Sequence, residues 1–384
     1  MKTLQSHLCL KRPNFQINPK QSLEDASLFF GEARNKKIIE NVILGYLSGY
    51  VPRMYLLGNY GCGKTHLLYH LKHYFERDSS QIKIYPFVVG IEAESKTRYQ
   101  LLHKRLLDAI GISLLEKAYM DYAFKLGNDR EHGLRELFSD PNLYQTMQLI
   151  PTGPANKTLA WRWLIGERLT TADQQSLGVT TNLTDTGSLV DVLVTIGELF
   201  KRTDGHLLFM IDEAEALHSV SNEDSRRSWH DAFRKLSDAN DNQSIGWIAS
   251  FYSSAVNDAP SFMMEADITT RIGNEGIVTL EALIPVEVKK FLLDLIRCFI
   301  DQNCAAELIK KENLKTTPDL YPFTQDGLNQ FIQHAGADQH NAIPRTILRA
   351  ITGCALESLR SNCPVFDAQL VDRVVPQEFA DQRT

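Results

Sequence analysis

The chain has 384 residues, 43% of them hydrophobic and 23% charged, so it can build two packed units or one large core with an insertion and is not a disordered polyelectrolyte. Its 41 Lys plus Arg against 47 Asp plus Glu give a net charge of -6, which excludes general attraction to polyanions and confines nucleic-acid contact to a local patch. Six scattered cysteines form no C-x-x-C pair, no secretory apolar segment opens the chain, and no apolar run reaches the roughly 18 residues that span a bilayer.

A cytoplasmic protein is therefore expected, without a zinc site, a disulfide framework or a membrane partner. Residues 1–29, polar and broken by Pro13 and Pro19, read as an irregular arm. Ile38, Ile39, Val42, Ile43 and Leu47 then recur at helical spacing. A short apolar strand, 53–57, runs straight into Gly58-Asn59-Tyr60-Gly61-Cys62-Gly63-Lys64-Thr65, and a helical pattern follows over 67–75. A strand at 82–91 and a returning helix at 99–110 complete a βαβ pattern of the parallel kind. Over 111–188 the rhythm breaks into helical pieces separated by Ser139-Asp140-Pro141-Asn142 and Pro151-Thr152-Gly153-Pro154, which reads as an insertion. It resumes with a helix at 189–200, an apolar strand at 207–211 ending in Asp212-Glu213, a polar helix at 225–236 and a strand at 245–251. Beyond 284 only helices are expected, at 285–304, 325–335 and 344–359. The expected organisation is an arm (1–29), an α/β domain with a parallel sheet (30–283, insertion about 111–188), and an all-α lid with a C-terminal segment (284–384).

Gly58 to Thr65 fits G-x-x-x-x-G-K-[ST] without a mismatch and lies between a strand and a helix, the context that the motif needs. Glycines there let successive N–H groups face phosphate oxygens, and the helix N-terminus adds partial positive charge. The pattern predicts ATP held by Gly58, Asn59, Tyr60, Gly61, Cys62, Gly63, Lys64, Thr65 and His66, with Lys64 at the β and γ phosphates and the Thr65 hydroxyl on Mg²⁺. His66, His70 and His73 have no Cys or carboxylate at ligand spacing and read as a solvated helix face. The second apolar strand delivers Asp212 to the Mg²⁺ shell and Glu213, next along the chain and differently directed, as the general base; Glu215 is the weaker candidate. A solvated acidic turn opening a helix is the plainer alternative for this stretch.

These two segments, with the helical region after them, resemble the AAA+ ATPases of the origin-recognition, Cdc6 and transposition-regulator branch over about residues 33–360. The resemblance implies a polar sensor 1 residue ending the strand at 245–251, where Ser250 or Ser253 fits. It also implies a sensor 2 arginine in a Pro-Arg pair, matched by Pro344-Arg345, and an arginine finger between them, matched by Thr270-Arg271-Ile272-Gly273. A buried strand-end serine, a helix start with proline at its first position and a surface arginine are the corresponding structural alternatives. Ala160-Trp161-Arg162-Trp163-Leu164-Ile165-Gly166-Glu167, followed by Gln175 to Val179, resembles the insertion of bacteriophage-exclusion (BREX) proteins of the BrxC and BrxD group; alternatively, Trp161, Leu164 and Leu169 simply anchor a helical core.

Together the resemblances imply a Mg²⁺-dependent ATP hydrolase whose ATP state controls self-association into a ring or filament, with Arg271 completing a neighbour's site. It would act with protein partners of an anti-phage defence or mobile-DNA system. The basic pairs Lys36-Lys37, Lys104-Arg105, Arg226-Arg227 and Lys289-Lys290 are short, so DNA is expected to be engaged through the assembled form. Two alternatives stand beside this: a replication initiator or loader that binds DNA directly, although no helix-turn-helix pattern follows the lid, and a slowly hydrolysing nucleotide-gated scaffold.

Overall fold

The structure is a computed structural model that describes residues 3–28, 32–77, 82–238, 243–252, 260–337 and 342–380. Five strands, β1 (Arg53–Gly58), β2 (Lys83–Gly90), β3 (Gly205–Asp212), β4 (Ile245–Tyr252) and β5 (Ile277–Leu280), form one sheet in the order β2-β3-β4-β1-β5. The pairs β2/β3, β3/β4 and β1/β4 are parallel. Leu207 to Ile211 are all buried, the continuous apolar run of a parallel strand covered on both faces. Because β4 lies between β1 and β3, the carboxyl ends of these three strands share one edge, where Leu56 stands opposite Ser250 and Ile211 opposite Ala249. Ligands of open α/β sheets gather at such an edge.

The chain divides into two compact units: residues 1–36, 59–70 and 280–384, and residues 37–58 and 71–279. In the second unit the sheet and its helices share one apolar core with the segment read as an insertion. That segment forms the helices Ile112–Leu126, Arg130–Leu137, Pro141–Leu149, Pro154–Leu164 and Thr171–Leu177. Leu115, Met147, Trp163, Leu164 and Leu177 are buried in the same cluster as Leu207 and Phe209, so an interruption in sequence is continuous in packing. Trp163 Nε1 donates to Thr181 O at 2.9 Å, and a His103 ring nitrogen, Nε2, donates to Leu164 O at 2.7 Å. Glu167 is held by Lys104 and Arg162, each at 3.2 Å, and its carboxyl lies below the usual range, chiefly through the Lys104 hydrogen bond.

The first unit contains the helices Pro285–Phe299, Gln302–Glu312, Gln325–Ala337, Pro344–Ser361 and Ala368–Ala380. The single helix expected over 285–304 is two. Ile300 leaves the helical path to bridge Leu10, and Asp301 caps the next helix by accepting from Asn303 and Cys304 N–H. The arm also departs from the irregular expectation. It contains the short helices Leu4–His7 and Leu23–Ser27, and Leu8, Leu10 and Phe15 are buried among the C-terminal helices. Lys11 N–H donates to Phe299 O at 2.8 Å, and Asp25 gathers the arm by accepting from the Arg12 guanidinium and, at 2.6 Å, from Asn18 N–H. The sulfurs of Cys9 and Cys304 are bonded, a single link that the scattered cysteine spacing did not suggest. Among the described residues no helix is long and apolar enough to cross a membrane.

Candidate functional site

The glycine-rich loop ends where the helix Lys64–Arg77 begins. Gly61 and Gly63 have φ of 84° and 99°, the left-handed region where a side chain is strained and glycine is not. The resulting curl is closed by Cys62 N–H on Asn59 O at 3.2 Å and continues into the helix with Leu67 N–H on Gly63 O at 2.8 Å. Lys64 folds back along the loop, its Nζ donating to Asn59 O at 3.2 Å. A lysine ammonium beside a helix N-terminus is an anion site by charge and by donor supply. Cys62 is buried and Tyr60 exposed, so the two variable positions that flank Gly61 face different surroundings.

Within the same unit the Arg345 guanidinium lies over the Tyr60 ring, 4.0 Å from its centroid, and Arg345 N–H donates to Gly61 O at 3.3 Å. A β-carbon on Gly61 would come within 2.8 Å of Arg345 Cβ, so this close approach also demands glycine. His66 and His70 do not form a solvated face. His70 Nδ1 donates to Ala26 O at 3.0 Å, and His66 hydrogen-bonds the Leu28 backbone while burial pushes its imidazole down to about 4. The arm residues that cover these histidines lie far away in sequence, which helical periodicity cannot register.

In the other unit, Asp212 ends β3 with 3% of its surface exposed. Ser250, wholly buried on β4, donates its hydroxyl to Asp212 Oδ1 at 3.0 Å and accepts from Glu213 N–H at 3.3 Å. One hydroxyl thus fixes both the carboxylate and the turn that follows it. Glu213 takes φ of 58°, a left-handed backbone that costs a non-glycine residue of the order of 1–3 kcal/mol and turns its exposed side chain off the strand direction. Glu215 is half-buried, and its carboxylate accepts from Tyr252 N–H at 3.2 Å, fastening the end of β4. Of the two candidate serines, Ser250 therefore touches Asp212, whereas Ser253 lies outside the described residues.

Arg271 is on the short helix Ala266–Ile272, where its guanidinium contacts Asp238 at 3.4 Å and the Asp267 carbonyl. Arg53, at the head of β1, is drawn down by burial and supported by the charge of the same Asp238. His230 Nε2 lies 3.3 Å from the carboxylates of Glu265 and Asp267, which ties the start of the Arg271 helix to the helix Glu223–Ser237. Asp238 and Arg53 carry no sequence signal, because neither belongs to a motif.

Residues 151–267 match the family model described as BREX system ATP-binding protein BrxC/D, a span that includes β3, Asp212, Glu213 and Ser250. No curated protein sequence matches the chain. Among solved structures, the Aeropyrum pernix ORC2 protein in ADPNP-ADP complexes is similar over 96% of this chain and 73% of its own, at 13% identity and a TM-score of 0.50. The Aeropyrum pernix ORC1 protein in complex with DNA is similar over 91% of this chain, at 10% identity and a TM-score of 0.45; the chain spans 66% of that protein, just under two thirds. Domain III of the Thermotoga maritima replication initiation protein DnaA is similar over 95% of this chain and 98% of its own, at 11% identity and a TM-score of 0.39. At these identities the likeness is one of fold alone, a parallel α/β sheet domain followed by C-terminal helices, and residues 151–267 match the BrxC/D model.

Proposed function

We propose that the protein is a Mg²⁺-dependent ATPase whose nucleotide state governs self-association into a ring or filament. On this reading it is the ATPase component of a BREX-like defence or mobile-DNA system, working with protein partners and reaching DNA as an assembly. The observation that carries the reading is the Ser250 hydroxyl bonded to both Asp212 and the Glu213 backbone at the carboxyl edge of the sheet. That arrangement orients one buried carboxylate and exposes a second, the division of labour that metal binding and general-base catalysis need.

The roles follow from side-chain chemistry. Lys64 neutralises charge at the β and γ phosphates. The Thr65 hydroxyl and the Asp212 carboxylate are hard oxygen donors of the kind that would hold Mg²⁺, which would supply positive charge to polarise the phosphates. Glu213 accepts a proton from the attacking water. Arg271 leaves Asp238 to complete the site of a neighbouring subunit. The Arg271–Asp238 pair is about a third exposed, 31% and 26% for the two side chains. Such pairs contribute about 0–1 kcal/mol, so a neighbour's triphosphate outcompetes it. The same pair favours a second reading, a slowly hydrolysing scaffold, if Arg271 stays where it is.

Phosphate release from Mg-ATP, measured over a series of protein concentrations for wild type, Lys64→Ala and Glu213→Gln, tests the proposal. Turnover should rise with assembly and vanish in both variants. Equal turnover in wild type and Glu213→Gln contradicts it, and wild-type turnover near zero in a nucleotide-bound assembly favours the scaffold.

A further inference from the structure

Tyr60 is an exposed aromatic ring inside a phosphate-binding loop, at a position where the loop motif asks for no particular side chain. The structure gives it a partner. The Arg345 guanidinium lies 4.0 Å from the ring centroid, and among the described residues no carboxylate pairs with that guanidinium. Arg345 N–H on Gly61 O and the 2.8 Å approach of Arg345 Cβ to the place of a Gly61 β-carbon hold the start of the helix Pro344–Ser361 against the loop. The ring is therefore set against a cation that a triphosphate would also attract.

We infer that Tyr60 is a positioning residue: its ring seats the Arg345 guanidinium, and the phosphates of a nucleoside triphosphate compete with the ring for that guanidinium. This inference rests on the nucleotide-binding reading above. Relative strengths set the direction of the exchange. An exposed guanidinium–aromatic contact shifts an equilibrium by about two- to fivefold. Charge-assisted hydrogen bonds from a guanidinium to phosphate oxygens are stronger and geometrically matched. The ring and the phosphates therefore compete for one guanidinium, so removing the ring favours triphosphate binding, and the helix that carries Arg345 responds to the outcome.

The test is a competition titration of a fluorescent ATP analogue by ATP on the full chain, with wild type, Tyr60→Ala, Tyr60→Phe, Arg345→Ala and the Tyr60→Ala/Arg345→Ala double variant. Tyr60 is exposed, so these changes leave the core intact. Tyr60→Ala should bind ATP about two- to fivefold more tightly than wild type. Tyr60→Phe, which keeps the ring, should follow the wild type and not Tyr60→Ala. In the Arg345→Ala background the Tyr60→Ala effect should vanish, which a merely structural role of the ring would not produce. Lys64-dependent ATP binding that Tyr60→Ala leaves unchanged or weakens, or an undiminished Tyr60→Ala effect without Arg345, overturns the seat and leaves the nucleotide reading standing. ATP binding indifferent to Lys64→Ala overturns both.

Discussion

Ser250 donates its hydroxyl to Asp212 across the β3/β4 pair at 3.0 Å, and the same oxygen receives the Glu213 amide at 3.3 Å. Replacement of this serine by alanine removes a donor from a buried carboxylate and an acceptor from the strained turn after it. Leaving buried groups without their partners costs about 1–3 kcal/mol. Ser250→Ala should therefore lower the unfolding free energy read from urea denaturation by an amount in that range, and lower turnover by at least about tenfold, the scale of 1.4 kcal/mol in the barrier. A variant with unchanged midpoint and turnover would remove the hydroxyl from the account.

Arg271 should act on a neighbouring subunit. Arg271→Ala is expected to leave the ATP affinity of a single chain nearly unchanged and to reduce hydrolysis, by up to about 10³ to 10⁵ where a finger is fully engaged. Mixing Arg271→Ala subunits, which keep Glu213, with Glu213→Gln subunits, which keep Arg271, should restore part of the phosphate release. Mixed assemblies that form and stay inactive would place Arg271 outside any shared site.

Contiguous features of the fold and candidate site were legible in the sequence. The loop Gly58–Thr65 and the strand ending in Asp212-Glu213 announce themselves because glycine conformation and apolar runs are local properties; the ends of β1 to β4 fell within a residue or two of those observed, whereas the four-residue edge strand β5 was not expected. The missed features depend on partners remote in sequence. Leu8, Leu10 and Phe15 look like isolated apolar residues in a polar arm until the C-terminal helices cover them. The break at Ile300-Asp301 follows from the bridge to Leu10, which no periodicity over 285–304 contains. Tyr60 and Arg345 lie in separate motifs, and nothing in either predicts a stack. Strand register sets Ser250 beside the end of β3, a relation the sequence does not contain, while Ser253 lies outside the described residues.

Acid should weaken the fold through His103. Its imidazole is fully buried, with Nε2–H on Leu164 O, and burial pushes it down to about 4 from an ordinary 6.5. Above pH 6.5 neither state carries the proton. As pH falls from 6.5 towards 4 the unfolded chain takes it up and the native chain does not, so stability declines by up to about 1.4 kcal/mol per pH unit and levels off below 4. His103→Gln, which retains a donor, should show a shallower fall of the urea midpoint across this window than wild type. Parallel curves would contradict the assignment.

DNA binding should require the ATP-bound assembly. A net charge of -6 and paired basic residues cannot supply the roughly six to ten phosphate contacts of tight nonspecific binding from one subunit, whereas repetition around an assembly multiplies them. Fluorescence anisotropy of labelled duplex with Glu213→Gln protein should show binding with ATP that falls steeply with salt, and little without nucleotide. Equally tight binding by nucleotide-free monomer would favour the initiator reading.

The central claim is that Gly58–Thr65 holds the phosphates of ATP through Lys64, while Glu213 serves turnover and not binding. Calorimetric titration of Mg-ATP into Lys64→Ala and Glu213→Gln protein separates the two roles in one measurement. The account predicts a full binding isotherm for Glu213→Gln, comparable to wild type, and none for Lys64→Ala. An affinity for Lys64→Ala equal to that of wild type would contradict it.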